Sequence, residues 1–205
     1  MRAFKAPPVN DKLAGEFSTI INWLKKSATP LYLEIGCGVG LHPIKFAKSN
    51  PQFRLLAFER TSEKFNKAHQ RFINNGSPEN LLIIHGDASF FIDELFLNKI
   101  KSPALDGVFI LYPNPYPKNS QANLRLAHMP LTHALAKALK INGTLVLASN
   151  KSDYIDEAHE LIPQKTPLKI LKKRRIDAAE TPRTHFEKKY LGRGEDCFEL
   201  IFTRK

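Results

Sequence analysis

The chain is poor in cysteine. Its two, Cys37 and Cys197, stand 160 positions apart. They form neither a disulfide framework nor a zinc-ligand pattern, so both read as free thiols in a reducing, cytoplasmic setting. Long apolar runs are missing as well. No stretch without a charged residue exceeds the 11 residues of Gly107–Pro117, whereas a membrane span needs about 20. The sequence therefore predicts a soluble chain with no membrane partner. The opening, MRAFKAPPVNDKL, lacks an apolar h-region, and no secretory signal is read there. No metal site is expected either. His128 and His133 lie five apart, where a zinc pair on one helix face prefers i, i+4, and no acid or cysteine completes a set. Internal repeats are absent.

What is present is ordinary globular composition. With 42% hydrophobic and 25% charged residues, disorder over most of the length is excluded. At 205 residues the chain reads as one domain, 1–205, with an opening helix inside residues 1–28. It is long enough to fold without staples, as a monomer or a homodimer. Acids are the scarce charge: 20 Asp and Glu face 31 Lys and Arg, a net of +11. The excess is concentrated. Ten basic residues lie between Lys165 and Arg193 against three acids (Asp177, Glu180, Glu187), so this segment carries +7. A dense basic stretch attracts polyanions, nucleic acid above all, although a solvated lysine-rich face has the same composition.

Apolar periodicity sets the order of elements. Leu13, Phe17, Ile20, Ile21 and Leu24 make one helical face. Strands are expected at Leu31–Ile35, Phe53–Phe58, Leu81–His85, Leu105–Tyr112 and Thr144–Ser149. Helices are expected at Leu41–Ser49, Ser62–Asn75, about 89–99, Leu131–Leu139 and Ser152 to about Leu161. Leu168–Leu171 and Phe198–Phe202 flank the basic segment and read as an antiparallel pair. Alternating strands and helices predict an α/β fold: a doubly wound, seven-stranded, mostly parallel sheet with helices on both faces and an antiparallel C-terminal pair.

The chemistry gathers at strand ends. The first strand runs into Glu34-Ile35-Gly36-Cys37-Gly38-Val39-Gly40, and glycines at that edge let a ligand approach the main chain. The spacing is not the dinucleotide form: the third glycine is one position early, with Leu41 where that form wants glycine. Glu34 would repel a pyrophosphate and suits an ammonium group. Glu59 ends the second strand, where it can accept both hydroxyls of a ribose. Asp87 follows the third, where it can hold an adenine amino group. Three acids in these places describe S-adenosylmethionine as cofactor. Taken singly, Glu59 and Asp87 are ordinary helix N-cap candidates. After the fourth strand, three prolines stiffen Tyr112-Pro113-Asn114-Pro115-Tyr116-Pro117-Lys118, which places Asn114 toward a transferable methyl.

These motifs, together with Asp87-Ala88 and Pro182-x-Thr184-x-Phe186-Glu187, make the chain resemble the bacterial tRNA (guanine-N7-)-methyltransferases, a TrmB-like family of Rossmann-type enzymes, from about Leu31 onward. The resemblance implies a class I methyltransferase fold and places Glu34, Gly36, Gly38, Gly40, Glu59, Asp87, Ala88 and Asn114 around S-adenosylmethionine. It assigns Lys118, Asn150, Thr184, His185, Phe186 and Glu187 to the target guanine or its nucleotide, and tRNA to Lys118 and the 165–193 segment. Asn114 and Glu187 take the catalytic positions. The chain departs from the family in three places. Asn114 and Tyr116 replace the Asp and Trp of a Pro-Asp-Pro-Trp loop, Asn150 replaces a second aspartate, and the basic run after Lys118 is thin. Two further readings stay open: an amino-group methyltransferase, since Asn114-Pro115-Tyr116 partly matches an Asn-Pro-Pro-aromatic signature, and a non-catalytic RNA-binding homologue.

Overall fold

The computed structural model describes residues 11–92, 95–96 and 104–205. Seven strands form one sheet: β1 (Leu31–Ile35), β2 (Arg54–Glu59), β3 (Leu81–His85), β4 (Leu105–Leu111), β5 (Leu139–Ser149), β6 (Leu168–Arg175) and β7 (Phe198–Arg204). Their order is β3-β2-β1-β4-β5-β7-β6. The first five run parallel; β7 is antiparallel to both β5 and β6. Strand order therefore reverses between β1 and β4, and ligands of open α/β sheets sit over the carboxyl ends at such a switch point.

The helices are α1 (Asp11–Lys25), α2 (Leu41–Ser49), α3 (Ser62–Asn74), α4 (Ala88–Ile92), α5 (Pro130–Ala138), α6 (Ser152–Lys165) and α7 (His185–Leu191). Strand β2 shows why both sheet faces are covered. It is buried throughout, and its side chains alternate between two cores. Leu56 and Phe58 pack with Phe17 and Ile20 of α1 and Phe91 of α4. Leu55 and Ala57 pack with Ile44 and Ala47 of α2 and Ala68 of α3. Helix α1 is fastened by its end: Arg54 donates to the carbonyls of Trp23 and Leu24 at 3.4 and 2.9 Å, satisfying groups a helix C-terminus leaves open.

Sequence periodicity located β1, α2 and β3 to the residue. It missed three features. Strand β5 begins at Leu139, because Asn142 at φ 64° loops out a short turn and lets Leu139 pair with Leu105 before Thr144 pairs with Gly107. Strand β6 runs through Arg175, so five of the segment's ten basic residues stand on an edge strand. Thr-x-Phe-Glu opens a further helix, α7, instead of trailing the last one; Thr184 and Glu187 are the Ser/Thr-x-x-Glu pattern of a capping box. Of the helix expected over 89–99, only 89–92 and 95–96 fall among the described residues. No helix of the described residues is long and apolar enough to cross a membrane, and none of their His, Cys, Asp and Glu side chains cluster as a metal site.

Candidate cofactor and substrate site

The turn between β1 and α2 is held by its neighbour strand. Gly36 and Cys37 both donate their N–H to the Phe58 carbonyl at 2.9 Å. Gly36, Gly38 and Gly40 have φ of 75°, 59° and 77°, a region that L side chains enter only with strain. At Gly36 and Gly38 nothing lies within 4 Å of where a Cβ would stand, which leaves the main chain open to a ligand.

Glu34 and Glu59 bracket this turn. Both are buried, and both raise the Cys37 thiol, whose own burial is the larger cause of its upward shift. Neither carboxylate is left bare, as buried charge demands. Glu34 Oε2 lies 2.8 Å from His42 Nδ1. Glu59 accepts from the N–H of Gly38 at 2.9 Å and of Thr61 at 2.8 Å. Asp87 Oδ1 accepts from Ser89 N at 3.0 Å and Ser89 Oγ at 2.6 Å, so it caps α4, which begins at buried Ala88. Of the two helix N-cap candidates, Asp87 takes that role, whereas Glu59 holds the turn and α3 is capped at Thr61. Each of the three acids keeps acceptor capacity, since a carboxylate offers about four lone-pair sites. Acceptors at the carboxyl ends of three adjacent strands, beside a glycine turn open at Gly36 and Gly38, repel phosphate and suit donors. The ammonium, ribose diol and adenine amine of S-adenosylmethionine are donors, so these residues fit that group.

Across the switch point, Tyr112 and Tyr116 hold φ of 55° and 44°, unusual for aromatic residues. Strain of this kind persists only where surroundings over-determine it, and here they do. Asn114 Oδ1 accepts from Tyr116 N at 3.2 Å. Arg125 Nε donates to the Tyr116 carbonyl at 3.0 Å, and its Nη2 reaches those of Pro117 and Lys118. Arg125 Nη1 is held by Glu157 Oε1 at 3.0 Å, which His128 Nε2 also approaches, at 3.1 Å. Asn114 and Lys118 are exposed. Arg125→Ala removes this anchor and leaves Glu157 with His128 alone; a loss of roughly 1–3 kcal/mol follows, read as a fall in Tm of about 2–4 °C per kcal/mol at this chain length. An unchanged Tm would show that the prolines hold the loop alone.

The other end of the loop is tied to α7. Glu187 accepts from Tyr112 OH at 2.8 Å, from Arg183 N at 2.8 Å, from Arg183 Nη2 at 2.9 Å and from Arg183 Nε at 3.2 Å. Thr184 Oγ1 caps the helix by accepting from Glu187 N at 2.9 Å. Burial alone would raise the Glu187 carboxyl; the Arg183 guanidinium and N–H and the Tyr112 hydroxyl outweigh it and hold it below the usual range. Tyr112 is pushed up by burial, then by Cys197 and Glu187. Arg183 also pairs with Glu199, which Arg174 Nε meets at 2.8 Å, and Arg174 pairs in turn with Glu180. The sequence reading placed Glu187 on the substrate; in the structure it is 1% exposed and its carboxylate is engaged within the protein.

Residues 182–190 reach across to α2 and α3. Lys45 of α2 donates to the Pro182 carbonyl at 3.0 Å, Lys64 of α3 lies 5.5 Å over the Phe186 ring, and Phe186 stacks on Tyr190. His185 is exposed with its ring edge on Phe186. Asn150, at the tip of β5, donates from Nδ2 to Glu195 Oε2 at 2.7 Å. Sequence reasoning missed His42, Tyr112, Arg125, Arg183 and Glu195; only the capping box carried a local signal toward any of them.

The basic segment is less free than its composition. Lys173, Arg174, Arg175 and Arg183 pair with acids, and Lys165 donates to the Ala127 carbonyl. Among the described residues, Lys169, Lys172, Lys188, Lys189 and Arg193 have no acidic partner.

The family model Methyltransf_4, described as "Putative methyltransferase", matches residues 28–200. The chain belongs to this family. A bifunctional methyltransferase of Rickettsia conorii is 36% identical over 149 residues, which is 70% of this chain and 26% of that protein. The chain thus spans about a quarter of the length of these bifunctional relatives. A tRNA (guanine-N(7)-)-methyltransferase of Nitrosococcus oceani is 29% identical over 172 residues, covering 84% of this chain and 70% of that one. Among solved structures, an antibiotic-related methyltransferase superposes with a TM-score of 0.66 at 13% identity, over 100% of this chain and 99% of its own; at that identity the likeness speaks for the fold alone. The glycine turn and its flanking acids lie within the matched residues.

Proposed function

We propose that this chain transfers a methyl group from S-adenosylmethionine to N7 of a guanine in tRNA. What supports the reading is the placing of Glu34, Glu59 and Asp87 at the carboxyl ends of the adjacent strands β1, β2 and β3, beside a glycine turn open at Gly36 and Gly38, with a clamped loop across the switch point. The tRNA methyltransferase relatives favour RNA as the acceptor. Bound S-adenosylmethionine supplies an electrophilic methyl on a sulfonium.

What the residues add is chiefly position. Guanine N7 is a lone-pair nucleophile with no proton to remove, so no general base is required. Alignment alone can supply up to ~7–11 kcal/mol in model reactions, and a loop fixed by three prolines, Arg125 and Tyr112 is built to hold alignment. Glu59 and Asp87 hold the ribose and adenine of the cofactor, Glu34 its ammonium end, and Asn114 and Lys118 face the acceptor. Glu187, engaged by Arg183, contributes as a positioning residue for Tyr112 and the loop. The amino-group reading is weaker, because Asn114-Pro115-Tyr116 matches only one of the two prolines of the Asn-Pro-Pro-aromatic signature.

Purified protein with labelled methyl donor and unmodified tRNA should yield 7-methylguanosine by nucleoside mass spectrometry. Methyl on an exocyclic nitrogen supports the amino-group reading. No transfer despite donor binding supports the non-catalytic one, and Asn114→Asp with Asn150→Asp should then gain activity. tRNA affinity should fall with salt at a log–log slope of about −4, from five free cations at ~0.7–0.9 each. A slope near −9 would mean that the ion-paired arginines open to RNA.

A further inference from the structure

A cavity of about 480 Å³ opens at the carboxyl edge of the sheet, beyond Asn150, between the end of β6 and the segment joining α7 to β7. Its walls include apolar Ile176 and Leu191 and the carboxylates of Asp177 and Glu195. Arg175 and Asp196, also in the lining, neutralise each other as an ion pair. Asp177 Oδ1 is taken by Ala179 N at 2.8 Å. Glu195 Oε2 is fixed by Asn150 at 2.7 Å, and its Oε1 has no hydrogen bond among the described residues. The cavity sits in the most basic part of the chain, yet its lining carries three carboxylates against one guanidinium and is net acidic.

Resting on the function proposed above, we infer that this cavity is the pocket for the target base, and that Glu195 reads the Watson–Crick edge of guanine. Carboxylates repel phosphate, so a group from a polyanion that enters here must present hydrogen-bond donors. Guanine presents two side by side, N1–H and the N2 amine, matching the two oxygens of one carboxylate; adenine and cytosine present only an amine on that edge. Leu191 and Ala178 of the lining accept the ring faces. The backbone phosphates stay outside, on the free Arg193, Lys188 and Lys189. The arrangement also directs the reaction. N7 lies on the opposite side of a purine from N1 and N2. A guanine held by Glu195 at the β7 end therefore points N7 back across β5 toward the loop at the end of β4. That gap is about 10 Å, two strand spacings, which one purine, its hydrogen bond to Glu195 and the distance of transfer together span. Asn150 fixes the Glu195 carboxylate from the strand between and is a positioning residue.

The test uses the full chain with Glu195→Gln, which keeps the shape and the Asn150 contact but turns one acceptor into a donor, and Ala178→Trp, an exposed lining position where the indole fills the cavity. Saturation-transfer NMR with GMP, IMP and AMP, and kcat/KM on unmodified tRNA, are measured beside S-adenosylmethionine affinity. The expected result is binding in the order GMP, IMP, AMP, loss of GMP binding in both variants, and a fall in kcat/KM of tenfold or more with cofactor affinity unchanged. Variants that methylate tRNA like the wild type overturn the pocket and leave the N7 reading intact. A wild type that binds GMP in a Glu195-dependent way but never methylates tRNA upholds the pocket and defeats the N7 reading. No nucleotide preference in the wild type, or one that both variants keep, overturns the pocket whatever the activity.

Discussion

Gly40→Val will abolish measurable binding of S-adenosylmethionine while a substitution at another glycine leaves it intact. Gly40 stands at φ 77° where the turn enters α2. A Cβ there would lie 3.0 Å from Ala68 Cβ and 3.1 Å from Ala68 Cα, both on a packed helix that cannot yield like a flexible side chain. Left-handed backbone costs an L residue about 1–2 kcal/mol, and forcing methyls into a filled core adds roughly 1–3. The chain escapes both by moving α2 off α3, which drags Gly36 and Gly38 out of the conformation that presents the main chain. A loss of affinity of more than ~30-fold corresponds to about 2 kcal/mol, so calorimetry will see it. Gly15→Ala in α1, with nothing within 4 Å of its Cβ position, should bind normally and be more stable by up to ~1 kcal/mol. A Gly40→Val protein with wild-type affinity would remove the turn from the cofactor site.

Arg183→Met is the second large effect, on stability. Glu187 and Glu199 are 1% and 4% exposed. Arg174 remains for Glu199, but Glu187 keeps only the Tyr112 hydroxyl and the Arg183 N–H. Removing one partner of a buried pair costs about 3–5 kcal/mol, a large part of the 5–15 kcal/mol that folds a domain. The pH dependence has a definite sign. In the wild type the Glu187 carboxyl is depressed, so its contribution is present above the unfolded carboxylate range near 4.3 and disappears as pH falls through the lower folded value. Without the guanidinium, burial dominates and the folded value rises. Ionised Glu187 then destabilises at neutral pH, and the penalty shrinks as pH drops toward 5. The Tm gap between wild type and variant should therefore be widest at pH 7 and narrow on acidification. A gap constant from pH 7 to pH 5 would show that lost packing, not the stranded carboxylate, sets the cost.

Much of this molecule could be read along the chain. Leu31–Ile35, Leu41–Ser49 and Leu81–His85 emerged at their true bounds because period-2 and period-3.6 patterns and a terminating glycine are local signals. The glycine turn and its acids were visible for the same reason: chemistry at strand ends follows once the strands are placed. What the acids and arginines bind was not visible. Glu187 meets a tyrosine 75 positions away, and Asn150 meets Glu195 across 45. Four cations of the basic segment are consumed by such contacts, so composition overstated the charge free for a polyanion.

Sequence alone determined the doubly wound sheet, the place of the turn and the sign of the charge, since each depends on residue type at short spacing. Only the tertiary structure decided that Glu187 is an internal anchor, that Arg125 and Tyr112 hold the strained loop, and that Asn150 meets Glu195. Those roles depend on which side chains share a small buried volume. Desolvation compels each such charge to find its partner wherever the fold delivers one.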